Sequence, residues 1–415
     1  MYESKVPDMQ GRGGSRSCMA SLKRKPYLVL LAAVSLLYLL YQRQRFANPL
    51  PEGKGGAMHG RRVGGLLDDI NNNTLGFERI FVMGLPDRTD RRDQMVLQAG
   101  LSNIVIEFVD SVRGDEINPK AIPAAESGEK LTPGAYGCWR GHMNALQEIV
   151  RRNISSALVL EDDSDWDVRI RSLLIDTALA TRTLTQPLQG TGRGTPARYA
   201  DPTYPEPSGS VEAREFSFDD LPATAEPTTS PYGDEWEMLW LGHCGVSWPV
   251  LATDDLPFGR AFRYNDSSVP ATGLYSLSNP YLLKDNYPTH TRAFHHVEDG
   301  VCSLGYAVTQ KGARGMLREL ALRGVSDNFD FQLRHYCKGM KGRRKHNCIA
   351  AQPPLFSHHR GVGLISAGSN IDEHGEGYRS EAKTDMVRWS VALNADKIMD
   401  GKEDYLDGFP DPDEK

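Results

Sequence analysis

The chain has 415 residues, enough for one large domain or two modest ones with a core that needs no staples. Hydrophobic residues at 40% and charged residues at 25% are ordinary globular proportions and exclude wholesale disorder. With 48 Lys and Arg against 54 Asp and Glu, the net charge is -6, so no nucleic-acid partner is expected.

Residues 1–25 are basic and precede the apolar run Tyr27 to Tyr41, YLVLLAAVSLLYLLY. Fifteen residues make roughly 22 Å of helix, a short span that flanking Lys and Arg side chains can extend by snorkelling. No small-x-small cleavage pattern follows Leu39-Leu40-Tyr41, so the run reads as a signal anchor and not as a cleaved leader. The expected order is a cytosolic tail (1–25), a transmembrane helix (26–42), a Gly-, Arg-, Asn- and Pro-rich stem (43–76) and a lumenal domain (77–395). That is a single-pass type II protein of the Golgi or endoplasmic reticulum. The sequons at Asn72, Asn153 and Asn265 all follow the span. Of the six cysteines, Cys18 precedes it and five follow; in an oxidising lumen some of the five can pair and one is left over.

Past the stem, Arg79 to Leu85 reads as a buried strand ended by Pro86-Asp87, Asp90 to Ala99 as a helix and Asn103 to Val109 as a second strand. Thr132-Pro133 opens a helix, with Thr as cap and Pro in the first turn. Trp139, Met143, Leu146 and Val150 form its apolar stripe. Ala157 to Leu160 is a third strand. Such alternation predicts an α/β fold, a mostly parallel sheet flanked by helices, with ligands bound beyond the carboxyl ends of the strands. About residues 181–233, rich in Thr, Pro, Gly and Ser, read as a low-complexity surface insertion; residues 396–415 read as an acidic tail without a core role. Glu237 to Gly242 and Tyr306 to Thr309 are further strands, and Leu333 and Tyr336 sit on a helix opened near Asp330.

The third strand runs straight into Glu161-Asp162-Asp163. Three carboxylates at a strand end must stay in water or be neutralised by a cation, since isolated buried charge is costly. Hard oxygen ligands suit Mg2+ or Mn2+, which can bridge a diphosphate. No P-loop and no G-x-S-x-G occurs. A metal-dependent phosphodiesterase also uses clustered carboxylates but needs more ligands at separate strand ends than this one cluster offers.

Four ordered blocks, FVMGL with Arg88, Arg91 and Arg92, LTPGAYGC with Gly141-His142, ALVLEDD, and WEMLWLGHCG, followed by GYAVT with Gly312-Ala313, resemble glycosyltransferase family 25, the lipooligosaccharide and collagen galactosyltransferases. The resemblance implies a GT-A-like (Rossmann-like) domain, a divalent metal (Mn2+ or Mg2+), a nucleotide-sugar donor with UDP-galactose the commonest, inversion at the anomeric carbon, and a glycan, protein or lipid hydroxyl as acceptor. It implies Glu161 and Asp163 at the metal and Leu85, Arg88, Arg91 and Asp162 at the donor, a solvated helix face beside Asp87, Asp90 and Asp93 being the other use of the arginines. His142 could touch the ligand or be a satisfied core histidine. An inverting transfer needs a base; Asp330 and Asp327 are the candidates, with helix capping the other use of Asp330. His358-His359 could add a metal ligand, but neighbours on a strand face opposite ways, so at most one does, and His358 is the one assigned. The family's Asn is Gly84 here, its Glu is Ala135, and its Ser is Gly141. Those departures leave a second reading, a non-catalytic lumenal binding module on a decayed transferase fold.

Overall fold

Alternation of two apolar sets along the first strand sets the layering. In the computed structural model, which describes residues 65–124, 130–192, 194–207, 212, 214–250, 256–325, 327–371 and 375–412, β1 (Arg79–Gly84) sends Ile80 and Val82 into one core cluster and Phe81 and Met83 into another. A strand buried on both faces belongs to the middle of a sheet covered by helices. Each fully buried side chain of this kind contributes roughly 1.5–3 kcal/mol.

β1 is followed by α1 (Thr89–Leu101) and β2 (Glu107–Asp110), then α2 (Pro133–Arg151), β3 (Ser156–Glu161), β4 (Ser164–Trp166) and α3 (Ile170–Thr185). The second strand begins four residues later than its sequence suggests, because Asn103 adopts a left-handed φ of 51° and closes a turn after α1. At α2 the expected cap forms: Thr132 Oγ1 accepts from the Ala135 N–H at 3.2 Å. Trp139, Met143 and Leu146 are buried against the sheet, with Val150 at the margin.

Then come β5 (Glu215–Ser217), β6 (Met238–Gly242), β7 (Gly245–Ser247), β8 (Arg260–Arg263), β9 (Arg292–His296), β10 (Asp299–Val301), β11 (Gly305–Thr309), α4 (Gln310–Met316), α5 (Phe329–Lys338), β12 (Cys348–Gln352) and β13 (Phe356–Arg360). The sheet order is β2-β1-β3-β11-β6-β12-β9-β8-β5. Parallel pairing of β1 with β2 and β3, and of β12 with β6, leaves only β11 and β9 opposed to the rest of this path. The sheet is therefore mostly parallel, as the alternation predicts. Because β11 runs backwards, its first residues lie at the same end as the last residues of β3: Gly305 pairs with Leu160.

Three stretches outside the expected core carry more structure than composition suggests. Within 181–233, α3 continues to Thr185 and β5 extends the sheet edge. Tyr232 is wholly buried, stacks on Phe77 at 4.6 Å and donates to the Leu75 carbonyl. Aromatic rings supply there the burial that large aliphatics do not. The acidic tail is held by Arg388, which pairs with Asp407 and Asp411, and Asn394 accepts from the Leu406 N–H. At the other end Ile70 and Leu75, in the expected stem, are buried in the core. Among the described residues no helix is long and apolar enough to cross a membrane; the anchor at 26–42 and the cytosolic tail lie outside them.

Candidate functional site

The register of the sheet brings the chemistry together. Met83 pairs with Glu161, so Gly84-Leu85 and Glu161-Asp162 leave the sheet side by side. The reversed β11 delivers Cys302 and Ser303 to the same end, and β13 continues past it as Ser164 pairs with His358. The amino end of α5 closes the far wall. Between these elements lies a cleft of about 740 Å³ lined by Leu85, Arg91, Cys138, Glu161, Asp162, Asp163, Ser303, Asp330, His358 and Arg360, among others.

Each member of the acidic cluster has a different setting. Glu161 Oε1 accepts from Ser303 Oγ at 2.8 Å and lies 3.5 Å from His142 Nε2. Burial works against its ionisation, but His142 and the facing His358 leave it more acidic than usual. Asp162 binds Arg91 Nη1 at 2.6 Å; burial outweighs that contact and pushes its carboxyl up to about 6. Asp163 is met by Arg360 at 2.5 Å and by Arg91 at 3.3 Å. Despite burial, His358, Arg91 and Arg360 hold it well below the usual carboxylate range. Burial lowers His358 below its ordinary value against the pull of Asp163 and Glu161, and it is in its neutral form that an imidazole ligates a metal.

Glu161, Asp163 and His358 each present a ligand atom, all within 4.8 Å of one another. The Asp163 Oδ1 atom is buried with no hydrogen-bond partner, an orphaned acceptor beside two other oxygen and nitrogen donors. That arrangement fits a hard divalent cation. Three carboxylates face two guanidiniums, so with His358 neutral one negative charge is left for it to meet.

Asp330 also lines the cleft. It sits in the first turn of α5 and not at the cap position, which is Asn328. Its Oδ2 accepts from the Cys302 N–H at 2.8 Å and its Oδ1 from the Phe331 N–H at 2.9 Å. Burial nonetheless raises its carboxyl above the ordinary value.

Of the residues expected at the site, Leu85, Arg91, Glu161, Asp162, Asp163, Asp330 and His358 converge on this cleft, and three do not. Asp327 pairs with Lys341 at 2.6 Å, because α5 begins two residues later and turns it away. Arg88 binds Asp90 at 2.7 Å in a neighbouring hollow. His142 is wholly buried behind Glu161, stacked on Phe329 at 3.7 Å with Nδ1 3.2 Å from the Tyr306 hydroxyl. It orients Glu161 from behind the cleft wall. His359 faces the other way, toward Thr384, as strand alternation requires.

Arg360, Ser303 and Cys138 belong to the cleft without having been singled out. Arg360 carried a readable signal: it lies two residues after His358 and so shares its face of the strand. Ser303 carried none. Among the described residues Cys138 is the free thiol; Cys244 pairs with Cys302 and Cys337 with Cys348, which leaves one of the five over as the odd count requires.

Gly84 is explained by its contact. A Cβ there would lie 2.0 Å from Asp162 Oδ2, so the missing side chain is the space the carboxylate occupies. At Gly141 a Cβ would meet Ser111 Oγ at 2.5 Å.

Residues 77–177 match the family described as glycosyltransferase family 25 (LPS biosynthesis protein). The chain is 33% identical over 111 residues to inactive glycosyltransferase 25 family member 3 of Homo sapiens, covering 24% of this chain and 19% of that one. It is 31% identical over 105 residues to procollagen galactosyltransferase 1 of Danio rerio, covering 23% and 17%. To procollagen galactosyltransferase 2 of Homo sapiens it is 29% identical over 112 residues, covering 24% and 18%. The aligned stretch thus spans about a fifth of the length of these relatives.

Proposed function

We propose that this chain, whose residues 77–177 match the model of glycosyltransferase family 25, is a hexosyltransferase that takes galactose from UDP-galactose and passes it with inversion to a hydroxyl group of a glycan, protein or lipid. The donor sugar follows the two procollagen galactosyltransferases among its relatives. The observation that carries the reading is the convergence of Glu161, Asp163 and His358 on one wall of a cleft whose other wall holds Asp330.

Glu161, Asp163 and His358 would hold the metal, Mn2+ or Mg2+. A divalent cation there supplies Lewis-acid stabilisation of the departing diphosphate. Arg91 and Arg360, already within reach of the cluster, add charge-assisted contacts to the same phosphates. Asp162, held by Arg91, faces the donor beside Leu85. Asp330, made more basic by burial, accepts the proton of the acceptor hydroxyl as that oxygen bonds to the anomeric carbon and the sugar–phosphate bond breaks. The nucleoside diphosphate leaves with the bonding electrons.

The site faces the lumen in this reading, behind a signal anchor at 26–42. Exposure of all three sequon asparagines and two disulfides in the domain support an oxidising, glycosylating compartment.

The test is release of nucleoside diphosphate from a panel of nucleotide-sugars, with Mn2+ or with EDTA. Slow, metal-dependent release from UDP-galactose is the expected result. Release from another donor would change the sugar. No release and no donor binding would replace the transferase with the non-catalytic binding module, a reading favoured by the inactive relative and by the altered Gly84 and Ala135.

A further inference from the structure

Behind the hard-ligand triad stands a second one of different character. Cys138 and His142 are four residues apart on α2 and so share a face of the helix. Both converge on Glu161: one ligand atom from each of the three lies within 4.8 Å of the others. His142 Nε2 and Glu161 Oε1 are 3.5 Å apart. A tetrahedral ion with bonds of about 2.0–2.3 Å needs ligand atoms about 3.3–3.7 Å apart, and this separation falls in that range.

We infer that Cys138, His142 and Glu161 form a binding site for a thiophilic divalent cation of the Zn2+ class, which competes for Glu161 with the hard cation of the neighbouring triad. Thiol, imidazole and carboxylate together select such an ion, whereas two carboxylates and an imidazole select Mn2+ or Mg2+. The surroundings match a built site. When His142 ligates through Nε2, its Nδ1–H donates to the Tyr306 hydroxyl 3.2 Å away, the partner that fixes the tautomer and ring of a metal-bound histidine. Phe329 stacked on the ring holds its plane. Cys138 and Glu161 line the cleft, so an ion enters from there and keeps a coordination position facing it.

Ser303 Oγ, now 2.8 Å from Glu161 and 3.2 Å from His142 Nε2, would yield its contact with the ring nitrogen. Burial pushes the Cys138 thiol up while no cation is near; a bound ion supplies the charge that ionises it, and the thiol proton passes to solvent. Since a single carboxylate serves both triads, filling the soft site draws Glu161 away from the hard one. Only this antagonism rests on the transferase reading.

The experiment titrates the metal-stripped, full-length chain, carrying Cys18→Ser to silence the thiol of the N-terminal segment, with Co2+. A near-ultraviolet thiolate-to-cobalt charge-transfer band, one equivalent at saturation and bleached by Zn2+, is expected. It should vanish in Cys138→Ser. In Tyr306→Phe, which keeps every ligand, the affinity should fall about 10–100-fold. No band at saturating Co2+, or a band unchanged by Cys138→Ser, overturns the site. Electron paramagnetic resonance of bound Mn2+ reads the antagonism: Zn2+ should expel Mn2+ at concentrations at least tenfold lower in the parent chain than in Cys138→Ser, and equal concentrations overturn it. Neither measurement uses a sugar donor, so a failed transferase assay leaves both results standing.

Discussion

Two buried carboxylates near opposite ends of the sheet respond to burial in opposite ways. Glu237, just before β6, is closed in by His346, by Lys311 at 2.7 Å and by the Tyr336 hydroxyl; His346 in turn reaches Glu319 at 3.2 Å. Burial would raise it, yet His346 and Lys311 hold it at about 2. Asp162, just after β3, has one strong partner in Arg91 and two acidic neighbours, and burial pushes it up to about 6. The first carboxylate is matched inside the protein and belongs to its stability. The second sits in a cluster whose charge is not fully answered by the chain, which is the condition for binding something else.

The largest expected effect is at Asp163: Asp163→Ala should lower metal-dependent turnover about 1000-fold, corresponding to several kcal/mol of lost electrostatic stabilisation, and abolish Mn2+ binding read by paramagnetic resonance. Next, Asp330→Asn should cost roughly 10²–10⁴-fold in kcat while donor binding, measured by calorimetry, persists. At the opposite end, His346→Ala should remove about 3 kcal/mol of stability in denaturant titration by stranding Glu319 and depriving Glu237 of one of its cationic partners, with metal affinity unchanged. A loss of metal affinity there would erase the distinction between the two ends.

Gly84→Ala should cost about 1–3 kcal/mol and weaken donor binding, since the new Cβ displaces Asp162. The smallest effect is in pH dependence, measured by thermal unfolding in EDTA. Glu237 is lowered on folding, so its contribution is present above about pH 4.5 and is lost as pH falls toward 2. Asp162 is raised on folding, so its contribution is present below the ordinary aspartate value of 3.8 and is lost as pH rises through about 6. Asp162→Asn should flatten the profile between those two values and leave the acid limb in place.

Much of the cleft could be read before the fold was known, for a local reason. Glu161, Asp162 and Asp163 follow one apolar strand without interruption, and the end of a strand in an alternating pattern is where a ligand must sit. Asp330 could be placed near a helix start, but only the structure separates it from Asp327, because a start two residues later rotates Asp327 toward Lys341. His142 looked equally suited to ligand and core; its helix face and the backward run of β11 place it behind Glu161. Composition misled in the 181–233 stretch, where Tyr232 and Phe216 do what aliphatic runs usually do.

What the sequence determined by itself was the strand–helix alternation from β1 to β3, the capped start of α2, the acidic strand end and the odd cysteine. Each depends on neighbours a few positions apart, where periodicity, capping and counting operate. The contacts that turn the acidic end into a site were decided by tertiary structure. Ser303 reaches Glu161 across 142 positions and Arg360 reaches Asp163 across 197. Strand order and register alone carry residues over such distances, and no local pattern encodes which distant cation will meet a given carboxylate.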